Sequence, residues 1–244
     1  MRKDITIARV SWGVRDITRM ILLTAIIPMG IFLLLVGLSH FGLLPSAVRD
    51  TIKHNDFVVN LGFSILVSVT EIALVFWLVR KYNLKLSDIG LQKFSIFKAV
   101  GYILAGLIIF MIFIAIVFAI VSVLVPAIDV NQAQDVGFEF GKKGVGFWFS
   151  FAATVILAPI VEEIYFRGLI LPALSKRYGW LWGVLGSSAF FAVLHFQLNV
   201  IIYTFILGLI LSFFFIRLKS IIPGIVLHMI NNTFAFIVLA GLIK

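Results

Sequence analysis

Uninterrupted apolar runs recur along the whole chain, and they constrain its fold more than any motif does. "YILAGLIIFMIFIAIVFAIVSVLV" (102–125) is one of them, 24 residues without a charge. A bilayer core about 30 Å thick needs about 20 apolar residues to be crossed as a helix. Runs of this kind lie near 20–44, 57–79, 98–126, 145–173, 180–196, 199–216 and 221–243. They predict an all-α, polytopic transmembrane helical bundle of seven spans, or eight if a short re-entrant segment forms around 165–175. The composition agrees: 62% of the 244 residues are hydrophobic and 13% charged, against roughly 45–50% and about 25% in a soluble domain. No polar stretch is long enough to bury a separate core.

The net charge of +9 does not point to nucleic acid. Its basic residues lie in short blocks between apolar runs, not on one face interleaved with aromatics. Arg2, Lys3, Arg9, Arg15 and Arg19 precede the first span, and Arg80, Lys81, Lys85, Lys93 and Lys98 lie between the second and third. Lys176, Arg177, Arg217 and Lys219 fall on that same side. The other side has Arg49 and Lys53, and a loop in which Asp129, Asp135 and Glu139 offset Lys142 and Lys143. Positive-inside therefore predicts a cytoplasmic N-terminus and, with seven spans, an external C-terminus. The basic start reads as an uncleaved first span, and the stretch 80–98 as lying along the cytoplasmic interface. With no cysteine, disulfides, thiolate metal sites and a cysteine nucleophile are excluded.

Charge inside a span needs a reason. "ILAPIVEEIYFRGLILPAL" (156–174) places Glu162, Glu163 and Arg167 in an otherwise apolar segment. Each costs roughly 2.5–3.5 kcal/mol at a helix centre, while a Leu or Ile returns about 0.3–0.6. Such residues face a bundle interior or a water-filled cavity, and they are functional candidates by default. Glu163 and Arg167 are four apart with the acid first, the favoured same-face pair. Glu162 is five from Arg167 and points elsewhere, which leaves it free to act as a general base. All three can equally form one buried ionic lock. His195, one turn after Phe191, and His228, one turn before Asn232, are intramembrane histidines. Each can be hydrogen-bond glue between helices or part of a site in which an imidazole and an amide orient water or donate to an oxyanion. Counted at about 1.5 Å per residue, Glu162 lies some 21 Å from Lys176, His228 about 14 Å from Lys219 and His195 about 23 Å from Trp180. These depths meet only if tilt, or breaks at Pro159, Pro172 or Pro223, closes the difference. Glu71, also within a span, reads either as a lone acid bonded to a neighbour such as Thr70 or as part of a proton path.

"EEIYFR" (162–167), "FAVLH" (191–195) and "HMINN" (228–232) form EExxxR, FxxxH and HxxxN patterns in that order on successive late spans. The chain resembles the CPBP (Abi) family of intramembrane proteases, which includes type II CAAX prenyl endopeptidases and bacteriocin-processing or immunity proteins. The resemblance divides the chain into 1–140, without an assignable motif, and 141–244, the catalytic helical core. It implies that Glu162 and His195 activate the attacking water, that His228 and Asn232 hold the oxyanion, and that Glu163, Arg167 and Phe191 support the site. It also implies a site opening toward the cytosol. Glu162, His195 and His228 offer a catalytic zinc three ligands, while a metal-free route uses the same residues and is preferred. Expected partners are the lipid bilayer and a membrane-associated peptide or protein substrate, in a bacterial cell membrane. Two other readings stay open: a non-catalytic scaffold or bacteriocin self-immunity protein, and a proton-coupled transporter.

Overall fold

A computed structural model describes residues 10–132, 134 and 144–242. Six helices are long and apolar enough to cross a membrane: α1 (Val14–His40), α3 (Asp56–Lys81), α4 (Ile96–Leu124), α5 (Val145–Tyr178), α7 (Leu198–Leu218) and α8 (Ile222–Leu239). A shorter apolar helix, α6 (Trp180–Val193), lies between α5 and α7, and an amphipathic α2 (Ser46–His54) joins α1 to α3. Six of the seven expected spans are helices of crossing length and the expected span 180–196 is the shorter α6, while no re-entrant segment interrupts 165–175, because α5 runs through it. The protein is an integral membrane helical bundle. Its outer faces are as apolar as its interior, as Leu33, Leu34, Ile108, Met111 and Phe113 show by being more than half exposed. Helical backbone satisfies its own polar groups in lipid, which water cannot do there. Arg2, Lys3, Arg9, Asp135, Glu139, Lys142 and Lys143, used above for orientation, lie outside the described residues.

Close packing, rather than removal of apolar surface from water, holds such helices together, because lipid tails are themselves apolar. Small residues therefore mark the crossings. A methyl group on Gly183 of α6 would collide with Ser175 Oγ on α5, and one on Gly208 of α7 would stand 3.1 Å from Ser188 Cβ on α6. Aromatic pairs fill the wider gaps, among them Phe110 of α4 against Tyr203 of α7.

The stretch between α3 and α4 departs from a plain interfacial loop. A 3-10 turn over Leu86–Ile89 drives Ile89 into the bundle, where it is 1% exposed against Leu169 and Phe166. The turn closes on Gly90 at φ +87°, where a side chain would also collide with Phe215 and Ile221. The Gly90 carbonyl accepts from Ile221 N–H at 3.0 Å, and Ser220 Oγ donates to the Gln92 carbonyl at 3.0 Å. Ser220 and Ile221 are buried beneath this loop, so α8 starts inside the bundle.

The segment before α1 is buried too. Trp12 is fully enclosed and donates from Nε1 to the Leu169 carbonyl at 3.0 Å, while Lys176 Nζ donates to the Val10 carbonyl at 2.8 Å. Residues on both sides of the 140/141 division thus share one core, with Trp12, Met20, Leu78 and Ile89 packed with Tyr165, Leu169 and Phe191.

Candidate active site

The site is built around irregularities in α5. Two stretches, Ala152–Leu157 and Ile164–Ile170, are wound as π-helix. Each precedes a proline, Pro159 or Pro172, which has no N–H to donate and whose ring crowds the carbonyl four residues back. Widening the preceding turn relieves that crowding, and π-turns of this kind are frequent at functional sites. Between them lies the short α-helical piece Ala158–Glu163 that presents the two glutamates.

The glutamates part company as their spacing predicts. Glu163 is buried and accepts from Arg167 Nη1 at 2.7 Å. Arg167, fully buried, also donates from Nη2 to the Gly208 carbonyl at 3.2 Å and lies 4.7 Å from the centroid of the Phe191 ring. The same Glu163 oxygen lies 3.2 Å from His228 Nδ1. A carboxylate can only accept, so Nδ1 carries the proton and Nε2 turns to the opposite side. There it lies 3.6 Å from Glu162 Oε2. Glu162 is 29% exposed and stands outside the ion pair.

His195 follows the last turn of α6, with Nδ1 3.0 Å from the Phe191 carbonyl. Because a carbonyl oxygen has no proton to give, Nδ1–H is the donor, and in the neutral ring Nε2 then keeps its lone pair. The Phe191 ring stands edge-on between the two imidazoles, 5.2 Å from His195 and 5.6 Å from His228. Asn232 donates from Nδ2 to the Thr154 carbonyl at 2.9 Å and accepts from Asn231 Nδ2 at 3.3 Å.

Glu162, His195, His228 and Asn232 line one cavity of about 320 Å³. The depth mismatch counted along the sequence disappears because α8 begins below the interface, so His228 lies deeper than its distance from Lys219 indicates. Sequence reasoning missed Tyr203, whose hydroxyl donates to Asn231 Oδ1 from within the same cavity. Tyr203 lies in the second turn of α7, where a tyrosine near a span end carries no signal of a site. Glu71 lies outside the cavity lining, within Coulombic reach of Glu162. The Thr70 hydroxyl expected to bind it donates instead to the Leu66 carbonyl at 2.8 Å.

Zinc requires its ligands at about 2.0–2.2 Å around one point. Among the described residues no three His, Cys, Asp or Glu side chains are arranged to hold a metal ion, Glu162, His195 and His228 included. As placed, these three do not close a coordination sphere.

Among the described residues, the lining of the cavity extends from the glutamate toward one end of the bundle. Its outer lining is Asn60 and Ser64 on the first turns of α3, Gln134, and Ala235 and Leu239 at the end of α8. Lys176 and Lys219 lie at the other end of the bundle from this lining.

Comparison with known proteins falls on the same segment. Residues 144–234 match the family described as "Type II CAAX prenyl endopeptidase Rce1-like". A Bacillus subtilis (strain 168) protein named "Putative membrane peptidase YdiL" is 34% identical over 82 residues, 34% of this chain and 34% of that protein. An Escherichia coli protein named "Uncharacterized 24.3 kDa protein" is 39% identical over 83 residues, 32% of this chain and 38% of that protein. The chain thus spans about a third of the length of the curated relatives it matches. No solved structure matches. The three motifs, the helices that carry them and the matched segment coincide, so residues 144–234 are similar to the type II CAAX prenyl endopeptidase family in the part of the chain that holds the candidate site.

Proposed function

We propose that this protein is an intramembrane endopeptidase of a bacterial cell membrane that hydrolyses a peptide bond of a membrane-associated protein or peptide. The observation that carries the reading is the division of labour between adjacent glutamates. Glu163 is spent on Arg167 and His228, and Glu162 is left facing a polar cavity that His195 also lines.

In this reading a water held between Glu162 and His195 loses its proton to one of them as its oxygen attacks the carbonyl carbon. General-base help of this kind is typically worth about 10²–10⁴-fold in rate. The carbonyl oxygen then gains charge and needs donors already in place. Asn232 has a second Nδ2–H beyond the one held by Thr154. His228 donates from Nε2 when both its nitrogens carry protons, with the Glu163 carboxylate facing the charge at Nδ1. The proton taken from water passes to the leaving amine, and bond cleavage is complete.

Glu162→Gln and His195→Ala should each lower cleavage of a candidate peptide by about 10²-fold or more, with unchanged expression, membrane insertion and detergent melting temperature. Full cleavage by either variant overturns the assignment. Parallel reactions with and without a chelator decide whether a metal takes part: activity that survives exhaustive chelation supports the side-chain route, and activity restored by zinc replaces it.

A further inference from the structure

We propose that the site is entered from the extracytoplasmic face of the membrane, so that its substrate is an internal peptide bond of a chain presented at that face. The inference rests on the endopeptidase reading for the word substrate, but its geometry stands apart from catalysis.

Two independent features define the ends of the bundle. The first is charge. Arg80 and Lys81 at the end of α3, Lys98 at the start of α4, Lys176 and Arg177 at the end of α5 and Arg217 at the end of α7 share one end. Among the described residues the opposite end has Arg49 and Lys53, both on α2. Such an excess of lysine and arginine marks the cytoplasmic side.

The second feature is where space is left open. Toward the basic end Arg167, Leu169, Leu171 and Leu211 are each fully buried, Ile89 and Ile221 are buried beyond them, and none of these residues lines the cavity. Toward the other end the cavity continues from Glu162 and His228 along Thr154 and Tyr203 to Asn60, Gln134 and Leu239. The polar groups lie on the open side of the glutamate, and the apolar seal lies on the basic side. A peptide reaching Glu162 therefore comes past Asn60 and Leu239.

The lining also selects the part of a peptide that fits. Among the described residues it has amides and hydroxyls, from Asn60, Ser64, Gln134, Thr154, Tyr203 and Asn231, and no lysine or arginine. Its carboxylate, Glu162, repels a free C-terminal carboxylate, and among the described residues no lysine or arginine of the lining offsets that repulsion. An extended backbone, whose uncharged N–H and C=O groups match amides and hydroxyls, is accommodated instead.

The chain contains no cysteine, so single cysteines report accessibility without background. Ser64→Cys and Ala235→Cys place a thiol in the cavity, Leu239→Cys at its outer end, and Arg177→Cys at the basic end. A charged, membrane-impermeant thiol reagent is added to intact cells and, separately, to inside-out vesicles. From outside, the three cavity thiols should react at least about tenfold faster than Arg177→Cys, because thiolate forms only where water reaches. In inside-out vesicles Arg177→Cys should react and the cavity thiols should not. Cavity thiols that react only from the cytoplasmic side overturn the proposal, as does equal labelling from both sides. None of these readouts requires turnover, so an enzyme whose Glu162→Gln variant still cleaves refutes the catalytic reading and leaves the labelling result standing on its own.

Discussion

Arg167 has no water to turn to. It is fully buried, and its charge is met by Glu163, the Gly208 carbonyl and the face of Phe191. Arg167 Nε and Glu163 Oε2 have no hydrogen-bond partner, so the pair is incompletely compensated. Such a pair adds little net stability, but removing one member strands the other. Arg167→Met should therefore cost about 3–5 kcal/mol, read as a lower melting temperature in detergent. Replacing both residues, with Glu163→Gln beside Arg167→Met, should recover part of that stability. It should not recover function, because Glu163→Gln leaves His228 Nδ1 only a neutral acceptor. A single variant as stable as the parent would show that Glu163 finds another partner and that the lock is dispensable. The sequence placed this pair correctly because four-residue spacing survives the local π-winding. It could not say that His228, 65 positions away, completes the arrangement, since only tertiary packing brings α8 against α5.

At the scale of helices, the crossing of α5 and α6 depends on contact that no longer side chain permits. Gly183 lets Ser175 approach so closely that a methyl group would also stand 2.9 Å from the Ser175 Cα, a backbone atom that cannot rotate away. Gly183→Ala should force the helices apart at a cost of about 1–3 kcal/mol and disturb His195, which is carried at the far end of α6. Gly101 on α4 supplies the control, because nothing lies within 4 Å of a methyl group there. Gly101→Ala should be neutral or stabilising by up to about 1 kcal/mol, since alanine loses less freedom in a helix. Thermal unfolding of both variants in one detergent checks the pair, and equal destabilisation would refute the close-contact account. Hydropathy identified these helices because lipid leaves few alternatives for the backbone. It could not distinguish a glycine at a crossing from one facing lipid, because both sit in equally apolar sequence.

For the molecule as a whole, the motifs lie after residue 140 but the packing does not respect that boundary. Spans and motif residues were legible because each depends on spacing within one helix. The insertion of Ile89, the burial of Trp12 and the direction in which the cavity opens were not, because each depends on how distant segments fit together. Trp12 shows the consequence. It lies at the end of the bundle near the interface, fully buried, bonded to the Leu169 carbonyl and packed in the core that includes Phe191, the ring between the two imidazoles. Truncating a buried tryptophan typically costs about 3–5 kcal/mol, and Met20, Leu78 and Ile89 add contacts on the same surface. Residues 141–244 expressed alone would leave that surface facing lipid, which supplies apolar neighbours but not the interlocking contacts that fix Phe191. The fragment should insert and yet aggregate or migrate as several species in detergent, and it should lack cleavage activity. Co-expression with residues 1–140 as a separate chain should restore a single stable species, because the join falls between α4 and α5. A fragment that is monodisperse and active without its N-terminal half would show that the shared core is incidental and that the last four helices hold their own geometry.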